Sequence, residues 1–292
     1  LYIGSEVFNQ SSALSIFCPI ENRIITNFDD IEKIWSHILT TELKIVPEEH
    51  PILMTESPQN TKAAREKTLQ IMMETFKIPA FYTTYPEVLS LYSVGLTTGL
   101  VVDSGETLTH IVPVYECFSM NHVLSRLDIG GRQINNHLKS VLKYNGIELP
   151  PSNDREILRD IKEKLCYIAL DPEAEVQKIG HSNEIEKTFK MPDGTGIQIG
   201  QQRFKAPEPL FDPQLIAVQS PGLHQLINET INKCEDLMPQ MYSTVLLAGG
   251  TSMFEGMKER IEKSVTELAP QGTKVGVIAP PNRKDAAWIG GS

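Results

Sequence analysis

The chain has 292 residues, 40% hydrophobic and 22% charged, with 27 Lys and Arg against 37 Asp and Glu for a formal net charge of -10. That length supports a large core or two domains. The acidic balance argues against a nucleic-acid backbone or an anionic membrane as the main partner, since both repel a negative surface.

No stretch approaches the roughly 20 apolar residues of a membrane-spanning helix, so membrane insertion is not expected. The opening Leu1-Tyr2-Ile3-Gly4-Ser5-Glu6 has no initiator Met and no basic-then-apolar signal layout. Together with the closing Trp288-Ile289-Gly290-Gly291-Ser292, it reads as a cut end, and truncation is expected at both termini. The cysteines, Cys18, Cys117, Cys166 and Cys234, form no CxxC pair. They are expected as reduced, mostly buried thiols of a cytosolic or nuclear protein, and the seven histidines supply no short-spaced zinc cluster.

The first element in chain order is a helix over residues 29–43, capped by Asp29 or Asp30, with Ile31, Ile34, Trp35, Ile38 and Leu39 at helical spacing. A strand follows over 51–56, a second amphipathic helix over 60–76 and a short strand over 80–83. Pro86 suits the first turn of a helix through Leu91, where its missing N–H costs nothing.

Residues 99–105 then read as a buried strand ending in an acid and a glycine turn, Asp103-Ser104-Gly105, and residues 109–115 as the strand returning from it. The turn amides of such a hairpin can cradle an anion while the Asp holds a divalent metal beside it. The same pattern also describes an ordinary Asx-type turn. A helix over 154–169 carries Arg159, Lys162 and Glu163 on or near one face, which is a solvated face unless a ligand lies against it. A strand over 242–247, the turn Ala248-Gly249-Gly250-Thr251-Ser252 and a helix over 257–268 suit close approach of a phosphate or ribose, although glycine turns also serve packing alone. A strand over 275–278 and the basic turn Pro280-Pro281-Asn282-Arg283-Lys284 close the chain.

Pro47-Glu48-Glu49-His50-Pro51, Arg65-Glu66-Lys67, Leu100-Val101-Val102-Asp103-Ser104-Gly105, Asp160-Ile161-Lys162-Glu163-Lys164-Leu165-Cys166-Tyr167, Gly249-Gly250-Thr251 and Trp288-Ile289-Gly290-Gly291-Ser292 together resemble the actin family. The resemblance runs collinearly over the whole chain, as a divergent actin-related protein lacking the N-terminal first phosphate hairpin and the C-terminal helices. It implies an α/β actin-like ATPase fold, with two ribonuclease-H-like lobes around a nucleotide cleft that holds ATP or ADP with Mg2+ or Ca2+. Residues 1–93 and 286–292 would form the small outer lobe, and 94–285 the large inner lobe with 130–218 as its outer subdomain.

Carried onto this chain, the resemblance makes Asp103, Ser104, Gly105 and Glu106 part of the second phosphate hairpin. Asp103 would contact the metal through water, and Ser104 and Gly105 would offer amides. Gly131 and Arg132 would open the outer nucleotide wall, and Arg159, Lys162 and Glu163 would form an adenosine-binding edge. Gly250, Thr251, Met253 and Phe254 would lie under base and sugar, with Lys284 beside the adenine. His110 would stand on the water side as the one catalytic group. The loop Phe211-Asp212-Pro213-Gln214-Leu215-Ile216-Ala217-Val218-Gln219-Ser220-Pro221-Gly222-Leu223 resembles the plug that inserts between filament subunits; the alternative is a loop packed on its own domain.

Three departures bear on mechanism. The Gln that helps position the attacking water in actins is Pro86 here, which has no side-chain donor or acceptor. Glu87 beside it is turned by about 100° around the helix and is expected to point elsewhere. The hairpin tip, Asp-Gly in actins, is Glu106-Thr107, costing on the order of 1–2 kcal/mol if that backbone needs a positive φ. Phe254 replaces a Tyr. The function expected is thus a cytoskeletal or structural protein that binds ATP, hydrolyses it slowly or not at all, and acts through contacts with actin-family subunits or cytoskeletal proteins. It would reside in the cytoplasm and cytoskeleton, with the nucleus open. The alternative is a conventional filament-forming ATPase, which the retained Asp103 and His110 favour.

Overall fold

Apolar residues at consecutive rather than alternate positions mark the central strands, because both faces of a mixed sheet covered by helices are dry. The computed structural model describes residues 3–4, 17–150, 154–178, 185–191 and 194–292. The opening residues Leu1, Tyr2, Ser5 and Glu6 lie outside them. Two compact units divide the chain, Leu1–Pro86 and Glu87–Ser292.

In the first unit β1 (Ile20–Glu21) and β2 (Ile24–Ile25) pair antiparallel and lead into α1 (Phe28–His37). The cap of α1 is Asn27, whose side-chain oxygen accepts from the Asp30 amide at 3.1 Å; the expected capping aspartates instead occupy the first turn, where their charge suits the helix dipole. The predicted helix runs on only as a π turn, Ile38–Glu42. Strands β3 (Ile52–Thr55) and β4 (Phe81–Thr84) pair in parallel. Between them α2 (Lys62–Gln70), capped by Thr61, also ends in a π turn, Ile71–Thr75. This βαβ unit is the connection that parallel strands require.

The second unit holds a six-stranded mixed sheet. After α3 (Pro86–Tyr92) come β5 (Gly99–Ser104), β6 (Thr109–Tyr115), β7 (Phe118–Ser119) and β8 (Ser125–Leu127), antiparallel to one another where they pair. Helices α4 (Gly131–Tyr144), α5 (Asp154–Leu165) and α6 (Pro172–Lys178), the hairpin β9 (Lys187–Lys190) and β10 (Gly196–Ile199), and α7 (Gln202–Lys205) follow. Then come α8 (Leu223–Asn232), α9 (Met238–Ser243), β11 (Val245–Ala248), α10 (Met257–Leu268), β12 (Val277–Ile278) and α11 (Ala286–Gly291). Strand β11 runs parallel to both β5 and β12, placing β5 between β11 and β6.

Leu100, Val101 and Val102 of β5 are wholly buried, as are Ile134, Leu138 and Leu142, which recur every fourth residue along α4. Helix α8 packs against β6 and β8, and α9 against β5. Several expected elements are shorter than predicted, and two of them have a visible cause. Pro239 opens α9, so Tyr242 belongs to that helix and its hydroxyl donates to Asn228 at 2.6 Å, leaving the strand to start at Val245. Helix α5 stops at Leu165 because the Leu165 carbonyl accepts from Arg203 Nε at 2.8 Å and Tyr167 bridges to Glu255. The terminal helix α11 lies in the second unit, where a Cβ on Gly290 would collide with the Leu89 carbonyl of α3. Among the described residues no helix is long and apolar enough to cross a membrane. All four cysteines are free, but only Cys166 and Cys234 are buried, whereas Cys18 is exposed.

The displaced cap gives a direct comparison. Asn27→Ala is expected to lower stability by about 1 kcal/mol in denaturant unfolding, whereas Asp29→Ala, which removes only a first-turn charge, is expected to cost a few tenths.

Candidate functional site

The hairpin of β5 and β6 sets the site. Its register puts Asp103 opposite His110 and Ser104 opposite Thr109. Thr109 donates its hydroxyl to the Ile129 carbonyl at 2.8 Å, so the 2.7 Å contact with Ser104 has the serine as donor. The Gly105 amide closes the turn on the Leu108 carbonyl at 3.1 Å, so the amide expected to face a phosphate is engaged inside the turn. Thr107 is not among the non-glycine residues with positive φ. The expected backbone cost of Glu106-Thr107 is therefore not incurred.

Around the turn three further elements close in. The Gly105 carbonyl accepts both the Gly131 amide, at 3.0 Å, and the Thr251 hydroxyl, at 2.8 Å. The Glu106 carbonyl accepts the Arg132 amide at 2.7 Å. From α5, Lys162 donates to the Gly131 carbonyl at 3.2 Å and stands 3.9 Å from the Glu106 carboxylate. Gly131 has no side chain where these groups meet. A Cβ there would lie 2.6 Å from Glu106 Oε2, 2.8 Å from Lys162 Nζ and 3.1 Å from Thr251 Oγ1. A carboxylate, an ammonium and a hydroxyl thus converge on a bare backbone, a donor and acceptor set that fits the hydroxyls and anionic oxygens of a nucleotide.

The structure therefore brings Gly105, Glu106, Gly131, Lys162 and Thr251 together. Asp103 and Ser104 abut Gly249, whose φ is +84° and whose Cβ would collide with Ser104 O and Asp103 Oδ1. Gly250 faces Lys284, since a Cβ there would be 3.9 Å from Lys284 Cγ. Arg132, Arg159, Glu163, Met253 and Lys284 have exposed side chains, and Arg159 and Glu163 lie near enough to Lys162 to act on its charge. Phe254 is buried in the main core, an apolar setting that suits Phe without the Tyr hydroxyl.

His110 is wholly buried, with Nδ1 3.2 Å from the carboxylate of Glu87, which is equally buried. Glu87 thus points to His110 rather than standing in for Pro86. Helix α3 is buried at five consecutive positions, Glu87 to Leu91, and exposed only at Tyr92. Thr109 and Gly249 had no assigned role in the sequence analysis, and Glu87 was weighed there only as a stand-in for Pro86. Only Gly249 carried a signal, as half of the glycine pair.

No group of three or more His, Cys, Asp and Glu side chains is arranged to hold a metal among the described residues. The actin family model matches residues 1–292. The chain belongs to the actin family. Its mixed α/β architecture is the actin-like ATPase fold, and proteins of the actin family generally bind ATP or ADP with a divalent cation.

Burial pushes the Lys162 ammonium below the ordinary value of 10.5, with Glu106 pulling the other way. The native state is therefore penalised at every pH below the lowered native pKa, and the penalty fades as pH rises from there towards the unfolded value. Lys162→Met keeps the stem and removes the charge. It is expected to leave the ligand-free actin-family chain as stable or more stable at neutral pH in denaturant titrations; a loss above about 1 kcal/mol would show that the ammonium's bonds outweigh its desolvation. Gly249→Ala is expected to cost about 2 kcal/mol or more from the clash and the positive φ. Gly250→Ala, which meets only Lys284 Cγ at 3.9 Å, is the matched control in thermal unfolding.

Proposed function

We propose that this chain binds ATP or ADP with Mg2+ or Ca2+ on the hairpin face of its second unit, hydrolyses the nucleotide slowly or not at all, and works through protein contacts. The observation that carries the reading is the convergence of Glu106, Lys162 and Thr251 on the side-chain-free Gly131. In this reading Lys162 neutralises anionic or polar oxygens, Glu106 accepts from ribose hydroxyls, and Arg159, Glu163, Met253, Phe254 and Lys284 border the adenosine. Asp103 holds the cation through water. A single carboxylate matches a magnesium ion that keeps most of its waters and takes its other ligands from phosphates rather than from a protein cage.

The bound triphosphate supplies the phosphoanhydride bond whose cleavage is the reaction. The chain's own task there is to place a water, because phosphoryl transfer depends on positioning and electrostatics. Pro86 offers no group for that task, which supports slow turnover. The second reading, a conventional filament-forming ATPase, draws on the retained Asp103 and His110.

Contacts with actin-family subunits or cytoskeletal proteins are the proposed mode of action, in the cytoplasm and cytoskeleton. In the loop that resembles the filament plug, Ile216 and Val218 pack against the chain's own core, while Leu215 is half exposed. One residue of that loop is thus presented outward, and the other two support the self-packed alternative.

Nucleotide analysis after long incubation with ATP, alongside sedimentation, tests the reading. Retained ATP without pelleting is the expected result, and turnover at the rate of ordinary actin rejects it. Pro86→Gln, which returns a hydrogen-bonding side chain, is expected to raise phosphate release about tenfold or more.

A further inference from the structure

His110 is held from three sides. In the sheet it lies across from Asp103 of β5 and from Arg126 of β8, and from α3 the Glu87 carboxylate reaches its Nδ1 at 3.2 Å. Both side chains of that contact are 0% exposed, so neither exchanges its partner for bulk water. A carboxylate only accepts hydrogen bonds, and a buried one left without a donor is strongly destabilising. The proton shared at 3.2 Å therefore belongs on nitrogen, and the ring's remaining lone pair on the other nitrogen.

We propose that Glu87 is a positioning residue that keeps a proton on Nδ1 of His110, fixing the ring's orientation and assigning its lone pair to Nε2, the atom able to take a hydrogen bond from a hydrolytic water. Pro86 supplies no such group, and the carboxylate one position later acts on the histidine instead of on the water. The same logic holds where a carboxylate orients a histidine that does chemistry through its far nitrogen. The hydrolytic half of this proposal rests on the nucleotide reading above; the tautomer half does not.

The test uses the whole chain labelled with 15N and 13C in histidine, without nucleotide, at neutral pH. Long-range proton–nitrogen spectra report which nitrogen of each ring carries hydrogen, and His110→Gln identifies the His110 signals by their loss. The expected result is a protonated Nδ1 and a bare Nε2. Glu87→Ala is expected to reverse the assignment, and Glu87→Gln to keep it, since the amide oxygen still accepts from Nδ1. A proton on Nε2 in the unaltered protein, or an Nδ1 proton that survives Glu87→Ala, overturns the proposal. Should Glu87→Ala fail to fold, the spectra of the unaltered protein and of Glu87→Gln decide. In phosphate release, Glu87→Ala is expected to lower kcat about tenfold or more with KM for ATP unchanged, and Glu87→Gln to restore most of the rate. Failure of the unaltered protein to bind ATP, with the Nδ1 proton in place, would refute the nucleotide reading and support the Glu87 assignment.

Discussion

One carbonyl oxygen organises the site. Gly105 O accepts from the Gly131 amide and the Thr251 hydroxyl, one bond for each lone pair. Those two bonds tie the hairpin to the start of α4 and to the turn after β11, elements far apart in sequence. The approach has a steric condition: a Cβ on Gly130 would come within 2.6 Å of Gly105 O, and Gly249 lies against the backbone of Ser104. The glycines at these positions follow from the seam. Side chains there would hold the three elements apart, and Lys162, Glu106 and Thr251 would no longer share one point.

Much of the scaffold was legible because its signals are local. The buried run Leu100-Val101-Val102, the acid-glycine turn after it and the start of α10 read directly from residue type and spacing. What failed depended on tertiary context. Asn27 caps α1 because the chain turns one residue before Phe28, and nothing in the run of aspartates after it shows where that turn falls. Pro239 opened a short helix inside a stretch that reads as the approach to a strand. The contact of Glu87 with His110 carried no local signal, because it joins a helix to a strand 23 positions further on.

The hairpin tip shows how a departure from a family pattern acts. A Thr in place of Gly suggests backbone strain, yet Thr107 does not adopt a positive φ, so the turn accepts it. The change with a physical consequence is at Glu106. Its side chain is long enough to bring Oε2 to 3.9 Å from Lys162, and it raises the proton affinity of an ammonium that burial lowers. A side chain on a turn thus acts on the charge of a neighbouring helix.

The groups proposed to hold a nucleotide and those proposed to act on it sit on different elements. Gly105, Glu106, Gly131, Lys162 and Thr251 belong to the hairpin tip, α4, α5 and the turn after β11; Pro86 and Glu87 belong to α3, and His110 to the interior of β6. Nothing in the bonds that assemble the first set involves α3. In the proposed reading, the proline at position 86 leaves the Gly105 seam intact, and the carboxylate at 87 meets His110 rather than the cradle. Slow hydrolysis and retained binding are compatible in that reading because they depend on separate contacts, those of the hairpin tip and those of His110 beside it.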